Sequence, residues 1–108
     1  MANIVSQVKP SATTLTDLYQ VTSGKSSIVS SIVVCNQSAT ATSFRISVAP
    51  AGAVDALSQY VYYDIPINGN DTFVSTIGFA LNGITTQDKI RVYATLATLS
   101  FTCFAAES

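Results

Sequence analysis

The sequence contains no histidine and no tryptophan, and only 10% of its 108 residues are charged. The absence of histidine excludes Ser-His-Asp and Cys-His catalysis and removes the commonest general base of proteins. Five aspartates remain for acid–base chemistry, at turns or in exposed phases of strands: Asp17, Asp55, Asp64, Asp71 and Asp88. Such positions usually hold solvated or turn-capping carboxylates, although a glycosidase-like pair is the enzymatic alternative. We expect that the protein is not an enzyme.

Positive charge is scarce, with five Lys and Arg residues against six Asp and Glu. These cations form no basic stripe that could neutralise several phosphates, so nucleic-acid binding is not expected. The longest apolar run is Ile32-Val33-Val34-Cys35, which is far short of the ~18 residues of a membrane-spanning helix. The N-terminus also lacks the apolar stretch of a secretory signal. We expect synthesis in the cytoplasm and no membrane partner.

Cysteine is almost absent as well, since only Cys35 and Cys103 occur, far apart in the sequence. In a reducing compartment we expect free, buried thiols, with a disulfide as the alternative. Two thiols without histidine do not match the ligand spacings of zinc sites. Gly24-Lys25-Ser26 is similar to the end of a phosphate-binding loop, but Tyr19 stands where that motif has its first glycine. No metal and no cofactor are therefore expected.

Serine and threonine take the place of charge, in runs such as Ser26-Ser27, Ser30-Ser31 and residues 39–43. Charge is the usual device that keeps soluble proteins apart, so a lightly charged, hydroxyl-rich surface is poorly protected against self-association. We expect that other protein subunits cover much of this surface. A monomer with an undercharged surface is the alternative.

Apolar and polar residues alternate with a period of two along much of the chain. Residues 43–48, 90–95 and 99–103 show the alternation most clearly, which is typical of antiparallel strands with one buried face. Further strand candidates are residues 18–21, 28–36, 59–67 and 71–79. Turns rich in glycine and asparagine separate several of them. We therefore expect seven or eight strands.

No amphipathic helix is available to cover a sheet, because only residues 54–57 could form a helical turn. The sheet must then pack on a second sheet or close on itself. The sequence predicts an all-β fold, an antiparallel β-sandwich of seven or eight strands. A jelly roll is one form of it, and a small barrel is the alternative.

The chain is long enough for one domain and one modest core. We expect this single domain to span residues 12–108. Residues 1–11, which are polar and contain Pro10, are predicted to form an N-terminal arm that could add to the sheet edge of a neighbouring subunit. A frayed terminus is the alternative.

Residues 60–63 contain the one aromatic cluster of the chain. If Val61, Tyr63 and Ile65 point into the core, strand alternation places Tyr60 and Tyr62 on the outer face. Exposed tyrosines anchor protein interfaces, while stacking on sugars and cross-strand pairing are the alternatives. From strand phase alone, the candidate protein-interface residues are Tyr60, Tyr62, Arg45 and Arg91.

Two segments near the N-terminus carry a family resemblance. Residues 17–25 (DLYQVTSGK) and 28–36 (IVSSIVVCN) resemble a pattern of small structural proteins encoded by tailed bacteriophages, especially cyanophages. Residues 42–50, 90–94 and 99–101 are similar to the same pattern, so the likeness extends from about Asp17 to Phe104. It supplies no catalytic or binding residues.

The resemblance implies a virion protein synthesised in the cytoplasm of a host cell. A cement or decoration protein would be a homo-oligomer, expected as a trimer, that binds the major capsid protein and clamps neighbouring capsid subunits. A tail or baseplate component, binding other virion proteins or host-surface glycans, is the alternative. We favour the first, because a bare 108-residue domain has no coiled-coil stem or long shaft.

Overall fold

A computed structural model describes residues 1–108 and consists almost entirely of β-strands. The nine strands are β1 (Ala2–Val8), β2 (Thr16–Gln20), β3 (Ser26–Asn36), β4 (Thr42–Ala49), β5 (Tyr60–Ile67), β6 (Thr72–Ser75), β7 (Phe79–Asn82), β8 (Lys89–Ala94) and β9 (Leu99–Glu107). The only helical elements are two single 3-10 turns, Pro50–Gly52 and Leu57–Gln59, between β4 and β5. No helix of the structure has the length and apolar character needed to cross a membrane.

The strands form two antiparallel sheets that pack face to face. Sheet I has the order β1-β9-β3-β6, with β7 also paired to β3, and sheet II has the order β2-β8-β4-β5. The hydrophobic residues of the two inner faces form one core of 17 buried residues. The predicted antiparallel β-sandwich is therefore confirmed.

The order of the strands is that of a jelly roll. β6 and β7 pair with different stretches of β3, so together they occupy the place of one interrupted strand. With β6 and β7 counted as one strand, the pairs are β1 with β9, β2 with β8, β3 with the interrupted strand, and β4 with β5. A long antiparallel hairpin rolled into two sheets has this pairing, which recurs in viral capsid, lectin and cupin domains.

The interruption of this strand accounts for one difference from the predicted strands. Residues 71–79 were expected to form a single strand, but extended pairing stops after Ser75 and resumes at Phe79. The partner strand β3 shifts its register between Val29 and Ser31. An extra residue bends a strand locally. Residues 76–78, which face this part of β3, are not paired with it.

The N-terminal segment, expected as an arm, forms an edge strand of sheet I. Ala2–Val8 pairs with β9 along its whole length, from Ala2 opposite Glu107 to Val8 opposite Phe101. Ile4 and Val8 pack against the core, while Val5 and Gln7 point outward. The sequence does not predict this strand, because Ile4 and Val5 are adjacent and Ser6 and Gln7 follow together, which breaks the strict alternation of apolar and polar residues.

Two phenylalanines lie at the centre of the core, one from each sheet. Phe44 and Phe101 are fully buried, and their ring centroids are 6.1 Å apart. Phe73 packs on Phe44 at 5.1 Å. These facing side chains form part of the apolar core between the two layers.

A buried carboxylate closes one end of the sandwich. Glu107, at the end of β9, accepts hydrogen bonds from the hydroxyl of Tyr19 and from the backbone N–H of Thr22, the latter at 3.1 Å. The Tyr19 hydroxyl also lies 2.8 Å from the Ser27 hydroxyl. Since Tyr19 belongs to sheet II while Ser27 and Glu107 belong to sheet I, these bonds join the two layers.

Candidate protein interface

The charged residues of the strands are concentrated on the outer face of sheet II. Arg45 on β4 donates to Asp64 on β5 with an Nε–Oδ1 distance of 2.6 Å. Its guanidinium carbon lies 4.1 Å from the ring centre of Tyr63 and 4.6 Å from that of Tyr93. The hydrogen bond with Asp64 is the main cause that raises the pKa of Arg45 above its ordinary value. The contacts of Arg45 are thus largely within the chain.

Arg91, the second arginine of the predicted interface, holds a loop against sheet II. It donates to the backbone carbonyls of Ala53 at 2.7 Å and Gly52 at 3.1 Å. Asp17 lies 3.3 Å from Arg91 and 3.0 Å from Lys89. Both predicted arginines therefore occupy the same outer face, where partners within the chain engage them.

The predicted phase of the tyrosines is wrong for part of β5. Tyr62 packs against the core, its hydroxyl 2.8 Å from that of Ser75, while Val61 and Tyr63 are 41% and 47% exposed. Tyr60 lies at the start of β5, where its ring contacts that of Tyr63. Tyr62 is thus no outward anchor, whereas Tyr60 contacts Tyr63, over whose ring the Arg45 guanidinium lies.

A bulge explains this reversal. Phe44 pairs with Ile65, but two residues further along β4 Ile46 pairs with Tyr62, so three residues of β5 oppose two of β4. Asp64, within the bulge, has a positive φ of 52°, which is uncommon for residues other than glycine. Counting a strict period of two back from Ile65 therefore assigns Tyr62 to the wrong face.

The outer face of sheet I contains no charged residue, and we call it the neutral face. None of the five cations and six acidic residues of the chain projects from it, and Glu107 of β9 is buried. The neutral face consists of the outward side chains of Asn3, Val5, Gln7, Ser26, Ile28, Ser30, Val33, Cys35, Thr72, Val74, Ala80, Asn82, Ser100, Thr102, Phe104 and Ala106.

Large apolar side chains are exposed within the neutral face. Val5 is 61%, Ile28 54%, Val74 52% and Phe104 39% exposed. Val5 lies opposite Phe104 in the pairing of β1 with β9. Together with Ile28 they line a shallow groove of about 560 Å³. Contiguous exposed apolar surface of this kind marks sites of interaction with other macromolecules.

The sequence signal for this face was its low charge and its serine and threonine runs. Ser26, Ser30, Ser100 and Thr102 all belong to the neutral face. What the sequence could not supply was the order of the strands, which places β1, β9, β3 and the pair β6 and β7 side by side. The apolar residues Val5, Ile28 and Phe104 therefore become one surface only in the folded chain.

The two cysteines lie on opposite sides of sheet I, and both are free. Cys103 is fully buried in the core, and burial raises the pKa of its thiol to about 12. Cys35 is partly exposed on the neutral face, although both thiols were expected to be buried. No group of three or more Cys, Asp or Glu residues is arranged to hold a metal ion.

Comparison with protein-family models, curated proteins and solved structures gives no match to this chain. The jelly-roll order alone does not select a function, because the fold serves structural, sugar-binding and enzymatic proteins alike. The features that bear on function are the surfaces of the molecule, above all the contrast between the neutral face and the charged outer face of sheet II.

Proposed function

We propose that this chain is a structural subunit of a bacteriophage particle, of the cement or decoration type. In this role it forms a homo-oligomer and clamps neighbouring subunits of the capsid, and it performs no catalysis. The observation that carries the proposal is the neutral face. The resemblance of residues 17–104 to small phage structural proteins supports the same role.

The neutral face favours a permanent protein contact because its burial carries little electrostatic cost. Burying a charge requires a partner charge or several hydrogen bonds, whereas apolar and hydroxyl-bearing side chains lose much less hydration. Interface centres are correspondingly depleted in charged residues. A sheet face with Val5, Ile28 and Phe104 exposed would promote aggregation if it stayed uncovered.

A clamp of this kind needs contact area and repetition instead of reactive groups. A specific interface buries about 1,200–2,000 Å² in total, and symmetry repeats it around the particle. Many equivalent contacts of moderate strength then act together, since each subunit that is already bound holds its neighbours at high effective concentration. The virion is the proposed location, after synthesis in the host cytoplasm.

A tail or baseplate component that contacts host-surface glycans is the second candidate. One groove favours it, a concavity of about 460 Å³ beside the 3-10 turns, lined by Tyr60, Gln59, Val48 and Pro50 among others. Ser58 also lines this groove. A tyrosine ring beside hydroxyl and amide side chains is suited to a sugar, whose ring stacks on the aromatic face while its hydroxyls form hydrogen bonds.

Quantitative mass spectrometry of purified phage particles tests the two candidates. For a cement protein we expect a copy number comparable with that of the major capsid protein. A few copies per particle, together with saturable binding of the purified chain to a glycan array, would instead support the tail component. Absence of the chain from purified particles would contradict both.

A further inference from the structure

We infer that the neutral face is a contact between two copies of this chain, related by a two-fold axis. This inference rests on the proposed function, because it names the partner of the same face. It goes further by specifying which surface the second copy uses and which symmetry results. Three observations support it, namely the chemistry of the face, its area and the position of the surrounding charges.

The chemistry of the neutral face selects an uncharged partner surface. Docking it on the outer face of sheet II would bury Asp17, Arg45 or Arg91 against side chains that cannot compensate a charge. The chain has one extended face without charged side chains, so the matching surface on a second copy is the same face. A surface that pairs with itself is related to its partner by a two-fold axis.

The area of the neutral face matches what a stable dimer needs. Its longest strand, β3, has 11 residues and at ~3.3 Å per residue extends for about 36 Å. Four strand positions side by side at ~4.8 Å cover about 19 Å. The product is about 700 Å² per copy, close to the ~800 Å² per partner of a standard interface.

Two lysines without an ion pair lie at the two ends of sheet I, outside the neutral face. Lys9 follows β1 and Lys25 precedes β3, so the two lysines lie at opposite ends of sheet I. Neither forms an ion pair within the chain, whereas Arg45, Lys89 and Arg91 all do. An uncharged centre with a charged, solvated rim is the usual anatomy of a protein interface.

The two-fold contact also constrains larger assemblies. A trimer needs two different complementary surfaces on each copy, and the neutral face has no uncharged counterpart elsewhere on the chain. The trimer expected from the family resemblance would therefore have to use other contacts. If those contacts exist, three two-fold dimers would combine into a hexamer.

Analytical ultracentrifugation of the full chain and two matched variants tests the inference. Phe104→Glu places a charge in the neutral face, and Tyr63→Glu places the same charge on the outer face of sheet II at a residue of similar exposure. We expect a wild-type dimer, a dissociation constant raised at least ~100-fold in Phe104→Glu, and a dimer retained in Tyr63→Glu. Val5→Glu, on edge strand β1, gives a second readout if Phe104→Glu does not fold by circular dichroism.

The outcomes separate this inference from the proposed function. A wild-type monomer at the highest attainable concentration, or a trimer, overturns the two-fold contact, even when the chain is abundant in purified particles. A dimer that survives both Phe104→Glu and Val5→Glu overturns the assignment of the contact to the neutral face. If these variants disrupt the wild-type dimer but purified particles do not contain the chain, the result supports the two-fold contact and contradicts the proposed function.

Discussion

The bond between Tyr19 and Glu107 gives the sharpest test of how the two sheets are held together. Tyr19→Phe removes the hydroxyl that donates to the buried carboxylate and keeps the ring in the core. A hydrogen bond to a charged group contributes about 1.5–3 kcal/mol, and the Thr22 N–H continues to donate to Glu107. We therefore expect the free energy of unfolding to fall by about 2 kcal/mol at neutral pH.

Urea denaturation measures this loss as a lower midpoint at unchanged slope, because the surface exposed on unfolding is nearly the same. Tyr60→Phe is the matched control, since its hydroxyl bonds an exposed aspartate, Asp55, at 3.2 Å. Loss of such an exposed bond changes stability by no more than about 0.5 kcal/mol. If Tyr19→Phe is no more destabilising than Tyr60→Phe, the bond between the sheets does not stabilise the fold.

The destabilisation caused by Tyr19→Phe is expected to depend on pH in the acid range. Burial raises the pKa of Glu107, but hydrogen bonds from Tyr19 and Thr22 outweigh it, so the pKa lies below its ordinary value. A carboxyl with a lowered folded pKa stabilises the fold above its unfolded pKa of about 4.3, and this stabilisation disappears as pH falls through the folded pKa. The difference between wild type and Tyr19→Phe should shrink in that range.

At alkaline pH the stability of the wild type is expected to fall as the pH rises, whereas at acid pH it falls as the pH decreases. Burial, followed by the hydrogen bond to Glu107, raises the pKa of Tyr19 to about 12. The unfolded chain releases this proton near pH 10, so the stabilisation present below that pH is lost as pH rises through the folded pKa. Wild type should lose more stability between about pH 10 and pH 12 than Tyr19→Phe does. Equal losses in the two proteins would contradict this account.

Two further substitutions test the packing of the sandwich by urea denaturation. Gly69→Ala should destabilise the fold by more than about 2 kcal/mol, because its Cβ would lie 2.1 Å from the backbone oxygen of Ala39. Gly78→Ala, with 3.8 Å to the nearest atom, should change the stability little. Equal destabilisation by the two variants would refute the close approach of Gly69 to Ala39. Phe44→Ala should cost about 3–5 kcal/mol, because the ring is fully buried between the two sheets, and a cost under about 1 kcal/mol would mean that the core does not depend on it.

The fold class was predictable because apolar residues alternate strictly in the central strands. In β8 and β9 one complete phase is buried, and no helix competes for these residues. The strands that the sequence does not predict separately are those where the alternation is weakest, namely β1, where Ile4 and Val5 are adjacent, and the interrupted pair β6 and β7. Strand order depends on contacts between distant segments, which a local period does not report.

The interface was less predictable than the fold, and β5 shows the reason. A bulge at Asp64 reverses the phase of the strand, and the residue type is a weak signal for it, since aspartate adopts a positive φ more often than most residues but far less often than glycine. The arginines Arg45 and Arg91 were correctly expected to point outward, but their partners within the chain, Asp64 and Asp17, lie on other strands. The low charge of the whole sequence was the better guide to the neutral face.

The central claim, that protein covers the neutral face in the assembled state, is tested most directly by alkylation of Cys35 with iodoacetamide. Cys35 lies on this face and is partly exposed, while Cys103 is fully buried and serves as an internal reference. Mass spectrometry of the cysteine-containing peptides compares the dilute chain with purified particles or concentrated oligomer. We predict that Cys35 reacts in the dilute chain and is protected in the assembly, whereas equal reaction rates in both states would contradict the claim.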